Sequence, residues 1–279
     1  MQGMLFTEMH NDSSGISVKI KEILVSKKTK FQKLDIFDTE FYGKMLTLDD
    51  LVMTTEKDEF VYHEMLTHIA LFSHKLPENI LIIGGGDGGT AREILKHKTI
   101  KNIDMVEIDE DVVIESKKYL PTIAVELDNP KLNIMIQDGV EFVKGKSNIY
   151  DIIFIDSTDP ISVGEGLFTT DFYKDCFNAL KSNGILVNQS ETPFHKPQWV
   201  SAINNKLKNV FPIVKVYKAE VPTYPSGIWL FEFCSKETDP YSDFNFQRYK
   251  DYNFKLKYYN DEIHKGAFSL PNYVKELLA

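Results

Sequence analysis

Apolar and polar positions alternate one by one early in this chain, and the first fifty or so residues read as β structure. Ile16, Val18 and Ile20 interleave with Ser17, Lys19 and Lys21, the period of a strand with one buried face. A second strand is predicted from Phe31 to Phe37. Tyr42-Gly43 and Asp49-Asp50 are turn signals around the short apolar pieces Met45–Leu48 and Leu51–Met53. Residues 1–55 therefore read as a small antiparallel β domain built of hairpins. Thr55-Glu56-Lys57-Asp58 has the form of a capping box and predicts a helix running to Phe72, with Phe60, Met65, Ile69 and Phe72 as its apolar stripe.

After Pro77 the pattern changes. Strands are expected at Ile80–Ile83, Ile103–Glu107, Leu132–Gln137, Tyr150–Asp156 and Gly184–Gln189. Helices are expected at Gly88–His97, Asp111–Tyr119, Thr170–Lys181 and Pro197–Asn209. Two further strand-like runs, Val214–Val221 and Ile228–Cys234, have no helix between them. Five strands in βα alternation followed by a hairpin-like pair predict a mostly parallel sheet with an antiparallel strand at its end. Residues 56–279 thus form one α/β domain, and the polar, aromatic-rich tail after Asp239 shows no assignable pattern.

Composition narrows the partners. There are 41 Asp and Glu against 32 Lys and Arg, an acidic balance that argues against nucleic acid or an anionic membrane as the main partner. Cys176 and Cys234 both lie in apolar stretches, so a reducing compartment is the default. Met1–His10 lacks the form of a signal peptide, and no apolar run is long enough to span a bilayer. The expected location is the cytoplasm.

The chemistry concentrates after the first strand of the α/β unit. Ile80–Ile83 leads directly into Gly84-Gly85-Gly86-Asp87-Gly88-Gly89, the strand–turn–helix opening of a Rossmann-like nucleotide-binding domain. Asp87 sits where a pyrophosphate would have to lie. A carboxylate there repels a polyanion and attracts a cation, which favours a positively charged nucleoside such as a sulfonium. Glu107, about 20 residues on, is placed to take the two hydroxyls of a ribose.

The other predicted strand ends are also acidic: Asp109, Asp138, Asp156 and, three residues later, Asp159. Asp109 reads as the cap of the following helix, and Asp138-Gly139 serves equally as a turn or a ligand contact. Asp156 and Asp159 flank Ser157-Thr158 after a strongly apolar strand. Several like charges in one crevice are tolerable mainly with a cationic guest.

Taken in order, these segments resemble the polyamine aminopropyltransferase family, the spermidine synthases. The matching pieces are Phe31-Gln32, Asp58 through Met65, Gly84 through Gly89, Glu107-Ile108-Asp109, Asp138-Gly139, Asp156 through Pro160, and Pro222 through Gly227. They cover nearly the whole chain. The resemblance implies a class I methyltransferase-type sheet behind a small N-terminal β domain. It also implies transfer of an aminopropyl group from decarboxylated S-adenosylmethionine to putrescine, giving spermidine and 5′-methylthioadenosine.

The same resemblance assigns roles. Gln32, Glu107, Asp138 and Gly139 would hold the nucleoside, with a backbone contact to adenine from Val163. Asp87 would meet the aminopropyl ammonium and also face the acceptor. Asp156 would act as general base, while Tyr62, His63, Asp159 and Tyr224 would orient the diamine. Ile161–Phe168 is a candidate lid, with Ser162-Val163 where the family tends to have Gly-Pro. Around Leu48-Asp49-Asp50-Leu51-Val52-Met53 the chain also departs from the family, which commonly has a Gly after the first Asp and a Gln near Met53.

Glu165, Asp171 and Glu191 read as solvated or locally paired acids. The implied assembly is a homodimer or homotetramer. No metal and no cofactor is expected, the sulfonium nucleoside being a co-substrate. A methyltransferase using the intact donor would share the fold without needing Asp87 or the Asp156/Asp159 pair. A nicotinamide dehydrogenase is opposed by Asp87, and a polyamine-binding protein without turnover by the presence of Asp156.

Overall fold

The computed structural model describes residues 3–160, 162–252 and 254–279; the side chains of Ser162 and Val163 lie outside that description. Five strands, β1 (Met4–Asn11), β2 (Ser14–Lys28), β3 (Lys33–Thr39), β4 (Lys44–Leu48) and β5 (Leu51–Thr55), form an antiparallel sheet in sequence order. Strand β1 was not foreseen. Its Phe6 packs with Val18 and Ile20 of β2, while Met4, Leu5 and Met9 are exposed, so its periodicity was partly masked by apolar residues on the outer face.

Strand β3 begins at Lys33, two residues later than the pattern suggested. Residues 29–32 are closed into a turn by Thr29, whose hydroxyl accepts from the backbone N–H groups of Phe31 and Gln32. That turn places Gln32 at the edge of the sheet rather than within it.

Helix α1 (Glu59–Ser73) follows, but the expected capping box is absent. Asp58 makes no side-chain cap bond. Its carboxylate instead accepts from the Thr55 hydroxyl at 2.5 Å and from both the backbone N–H and hydroxyl of Thr223, at 3.0 and 2.7 Å. One oxygen keeps the local partner Thr55 while the other takes the tertiary one, and Asp58 ties the end of the first sheet to the loop that carries Tyr224. Nor is α1 a one-striped helix: every residue from Val61 to Ser73 is buried, because other parts of the chain cover all its faces.

The second unit contains β6 (Asn79–Gly84), α2 (Gly89–Leu95), β7 (Asn102–Glu107), α3 (Glu110–Tyr119), β8 (Leu132–Ile136), α4 (Gly139–Val143), β9 (Tyr150–Asp156), α5 (Thr170–Ala179), β10 (Leu180–Gln189), α6 (Pro197–Lys208), β11 (Ile213–Glu220) and β12 (Ile228–Ser235). Its seven strands lie in the order β11-β12-β10-β9-β6-β7-β8. Strands β10, β9, β6, β7 and β8 are mutually parallel, and β12 is antiparallel to both neighbours. The antiparallel strand is therefore next to the edge, with β11 outside it. The near-continuous apolar runs of β6 and β9 reflect helices on both faces of the sheet.

The tail, unassigned from its pattern, folds into α7 (Phe246–Asp251), α8 (Asp261–Gly266) and α9 (Asn272–Leu277). Long-range polar contacts fix it. Glu64 of α1 accepts the backbone N–H groups of Lys257, Tyr258 and Tyr259, each at 2.8 Å. Arg248 donates to the carbonyls of Leu71, His74 and Lys75 at the end of α1. Among the described residues no helix is long and apolar enough to cross a membrane.

Replacing Asp58 by Ala leaves the Thr223 N–H and two hydroxyls without their buried acceptor. Asp58→Ala is expected to lower stability by about 2 kcal/mol, read by chemical denaturation at fixed protein concentration. A midpoint equal to the parent's would show that the tie carries no stability.

Candidate active site

Adjacent parallel strands bring the acids together. In register, Gly84 of β6 pairs with Asp156 of β9, and Glu107 ends the next strand, β7. Gly84 has φ +86, and a Cβ there would meet the Asp156 carbonyl oxygen at 2.0 Å. Only glycine lets the loop turn this close to β9, and Gly85 N–H then donates to that same carbonyl at 2.8 Å.

A cavity of about 320 Å³ opens over these strand ends. Gln32, Leu46, Leu48 and Met53 line it from the first sheet, Tyr62 and His63 from α1, and Gly84 through Asp87, Glu107, Asp138, Gly139 and Asp156 from the second. The site is thus built where the two sheets meet. A second cavity, of about 110 Å³, adjoins it. The two share Met53, Tyr62, Ser157, Thr158 and Tyr224, and the second adds Glu8, His10, Asp159, Glu191, Lys196 and Trp199. Together they make one cleft with its bend just after Asp156.

At the first end, Glu107 is buried and accepts from the backbone N–H groups of Gly86 (3.1 Å) and Asp109 (3.0 Å). Burial outweighs those donors and pushes its carboxyl up to about 7. Gln32 reaches the cavity with its amide donating to Asp109 at 3.0 Å. Asp109 also accepts from Thr29 while capping α3. Asp138 is exposed and caps α4, accepting from Val140 N–H at 2.7 Å, with Gly139 beside it in the cavity wall. The turn role and the lining role of Asp138 coincide.

Residues Ser162–Phe168 form one 3₁₀ stretch whose Gly164, Gly166 and Leu167 line the same cavity. This is the segment read as a lid. Ile161 and the side chain of Val163 lie outside the described residues.

At the bend, Asp156 accepts from the Thr90 hydroxyl at 2.7 Å. Burial raises its carboxyl; the charge of His63 opposes that rise and Asp87 adds to it. Asp87 accepts from Gly89 N–H at the start of α2, at 2.8 Å, and its other oxygen lies 3.4 Å from His63 Nε2. Tyr62 and Tyr224 have ring centroids 5.8 Å apart, and Tyr224 donates to the Met53 carbonyl at 2.6 Å. Burial raises both phenols well above their ordinary range, so they remain neutral.

Donor atoms of His63, Asp87 and Asp156 lie within 4.8 Å of one another, near enough for one cation to touch all three. The ring is not a free ligand, however. Its Nδ1 is 2.6 Å from Glu59, and although burial works against the charged imidazole, Asp87 and Glu59 hold its pKa well above the ordinary value. The arrangement suits an organic cation better than a metal ion.

The far end corrects one expectation. Of the two readings for Glu191, solvated or locally paired, the first is excluded: it is 1% exposed with φ +69 and lies against Asp159. Burial and the adjacent Asp159 raise its carboxyl to about 9, so Glu191 keeps the proton in that pair. Glu8, from β1, is raised to about 7, first by burial, with Asp159 contributing. Glu165 and Asp171 are exposed, as read. Glu8 and Thr90 carry no signal in the sequence, because their places depend on sheet register and loop paths; Glu191 carries a weak one, its position near the pocket end of a strand. Glu59 and His63, four apart on a helix, could have been paired from spacing alone.

A cleft of two acid-lined cavities that meet at the half-buried Asp156, over the strand ends of a mostly parallel sheet, fits an α/β group-transfer enzyme. Residues 59–245 match the spermine/spermidine synthase domain, and residues 4–56 match the spermidine synthase tetramerisation domain. A polyamine aminopropyltransferase of Alkaliphilus metalliredigens is 51% identical over 97% of this chain and 96% of its own. One from Clostridium perfringens is 48% identical over 98% and 97%.

Among solved structures, a spermidine synthase in complex with the transition-state analogue AdoDATO superposes with a TM-score of 0.98 at 41% identity, covering 100% of this chain and 96% of that one. The spermidine synthase of Thermotoga maritima gives 0.96 at 41% identity, with 100% and 95% covered. The chain belongs to the spermine/spermidine synthase family, and its enzyme class is polyamine aminopropyltransferase.

Glu107 has a pH signature. Between its ordinary value of 4.5 and about 7, the folded protein holds a proton that the unfolded chain has released. Stability therefore falls as pH rises through that window, by on the order of 3 kcal/mol from this group. Glu8 and Glu232 titrate over the same range, so the comparison must be with Glu107→Gln. Denaturation from pH 4.5 to 7.5 should give a shallower decline in the variant; parallel curves would place the Glu107 proton elsewhere.

Proposed function

We propose that the enzyme transfers the aminopropyl group of decarboxylated S-adenosylmethionine to putrescine by direct in-line displacement, giving spermidine and 5′-methylthioadenosine. The observation that carries this reading is the cleft of two adjoining cavities that meet just after Asp156, with acids along both: Asp87, Glu107, Asp138 and Asp156 in the first and Glu8, Asp159 and Glu191 in the second. In the reaction the amine lone pair forms a bond to the methylene carbon next to the sulfonium. The C–S bond breaks with its electrons going to sulfur, and the leaving group is a neutral thioether. One proton must leave the nitrogen, and Asp156 receives it.

An amine with a pKa near ~10 does not give its proton to an ordinary carboxylate in water. Burial raises the Asp156 carboxyl, which narrows that gap, and Asp156 takes the proton before the N–C bond forms, because an ammonium has no lone pair with which to attack. Holding both substrates in line supplies much of the remaining acceleration, on the order of several kcal/mol.

Donor selection follows from Asp87. Intact S-adenosylmethionine would bring its carboxylate against this acid, whereas the decarboxylated donor presents only an ammonium. That is discrimination by repulsion. Glu107 and Gln32 lie where the ribose and its neighbours would sit, Asp138 and Gly139 where adenine would sit, and the backbone at Val163 completes that wall. On the acceptor side, Tyr62 and Tyr224 offer ring faces and neutral phenols to the diamine, and His63 lines the bend. Asp159 takes the distal ammonium. The reaction needs no resident cofactor and no metal, because the leaving group departs without assistance.

We read the chain as a cytoplasmic homo-oligomer. The match of residues 4–56 to a tetramerisation domain favours a tetramer over a dimer.

Product analysis by mass spectrometry tests the reaction. With putrescine and the decarboxylated donor the expected products are spermidine and methylthioadenosine, with none from the intact donor. A methylated product from the intact donor would move the enzyme to the methyltransferases. Asp156→Asn should lower kcat about 10²- to 10⁴-fold, and retention within a few-fold would remove Asp156 as the base. Activity should persist in excess chelator; loss restored by a divalent metal would overturn metal independence.

A further inference from the structure

Behind the cleft lies a chain of charges that the transfer mechanism above does not use. Arg92 of α2 grips Glu59 of α1 in a two-pronged pair, Nη1 to Oε1 at 3.0 Å and Nη2 to Oε2 at 2.8 Å. The same Glu59 Oε2 is 2.6 Å from His63 Nδ1, one helical turn on. The opposite ring nitrogen, Nε2, is 3.4 Å from Asp87. Glu59 and His63 are buried, and Arg92 nearly so.

We propose that Glu59 and Arg92 are positioning residues for aminopropyl transfer, fixing the His63 ring so that its charged edge faces Asp87 and Asp156. The proposal rests on the reaction assigned above.

Each link has a geometric reason. The guanidinium fork leaves the Glu59 carboxylate one orientation. That carboxylate then directs Nδ1 and so turns Nε2 toward the cleft, as an outer carboxylate orients a histidine in other sites. The ring lies flat against the start of α2: a Cβ on Gly89 would meet three of its atoms at 2.2–2.4 Å. Glycine at that position leaves room for the ring and for nothing larger.

The groups facing His63 are Glu59 and Tyr62 on its own helix, Asp87 on the glycine loop and Asp156 on β9. Those facing Asp156 are Thr90, Tyr62, Tyr224, Asp87 and His63. Within that set His63 is the one cationic side chain among the described residues. A positive charge held there makes two neighbouring carboxylates tolerable before substrate arrives, and it keeps Asp156 ionised and able to accept a proton.

A mere helix-to-helix tie between α1 and α2 would affect stability and leave the charge of the ring unchanged. Two measurements on Glu59→Gln therefore decide the point. In ¹⁵N-histidine NMR, with the His63 signal identified by its loss in His63→Gln, the parent ring should be charged at pH 8 and the variant ring neutral. This reading does not depend on turnover, so it stands even if the parent makes no spermidine, an outcome that would count against the assigned reaction alone.

In the kinetic arm, the acid limb of the kcat–pH profile should move to higher pH in the variant. The loss should be on the order of 10²-fold at neutral pH and should shrink as pH rises. If Glu59→Gln does not fold, Arg92→Lys, which keeps the charge and loses the fork, should show a smaller shift in the same direction. A ring equally charged in parent and variant, or a pH-independent loss of kcat, would overturn the proposal.

Discussion

Carboxylates crowded along one buried cleft impose the condition that the rest of the site satisfies. Asp87, Asp156, Asp159, Glu191 and Glu8 cannot all be ionised together in a region of low dielectric without cations. The protein meets that condition in three different ways. His63 supplies a fixed positive charge at the bend, Glu191 keeps its proton beside Asp159, and backbone N–H groups satisfy oxygens of Asp87 and Glu107. The remaining deficit is what a cationic donor and a cationic acceptor fill. In the proposed reaction binding and selectivity have one origin, since a ligand carrying an extra carboxylate would restore the repulsion.

The fold makes this crowding possible. Parallel pairing of β6 with β7 and β9 delivers Gly84, Glu107 and Asp156 to the same edge of the sheet. The glycines after β6 keep the chain low enough for a nucleoside to lie over it. Meanwhile α1 and the first sheet form the opposite wall, and Asp58 and Tyr224 clamp that wall to the loop before β12 through Thr223 and the Met53 carbonyl. The cleft therefore has sides from both sheets. Its second cavity depends on β1 as well, because Glu8 and His10 line it.

Much of this was legible in the residues themselves. The helix α5 and the strand β9 were located closely by apolar periodicity and turn residues. The glycine loop and the acids after successive strands point by themselves to a cationic nucleoside. Where local signals competed with distant partners, they failed. The Thr55–Asp58 segment has the letters of a capping box, yet Asp58 gives one oxygen to the Thr55 hydroxyl and the other to Thr223, 165 residues away in sequence. The tail after Asp239 has no pattern of its own because Glu64 and Arg248 dock it.

By itself, then, the sequence determined the alternation of strands and helices, the glycine turn and the sign of the ligand's charge. These follow from local conformational preference and from the number of acids at strand ends, neither of which requires knowing what lies opposite. Only the tertiary structure decided which acid keeps its proton, which histidine carries charge and which end of the cleft each residue faces. Those properties depend on burial and on partners within a few ångströms, and distance in space is not encoded by distance along the chain. Glu191 shows the difference: in sequence it is one acid among 41, and in the fold it is a buried carboxyl paired with Asp159.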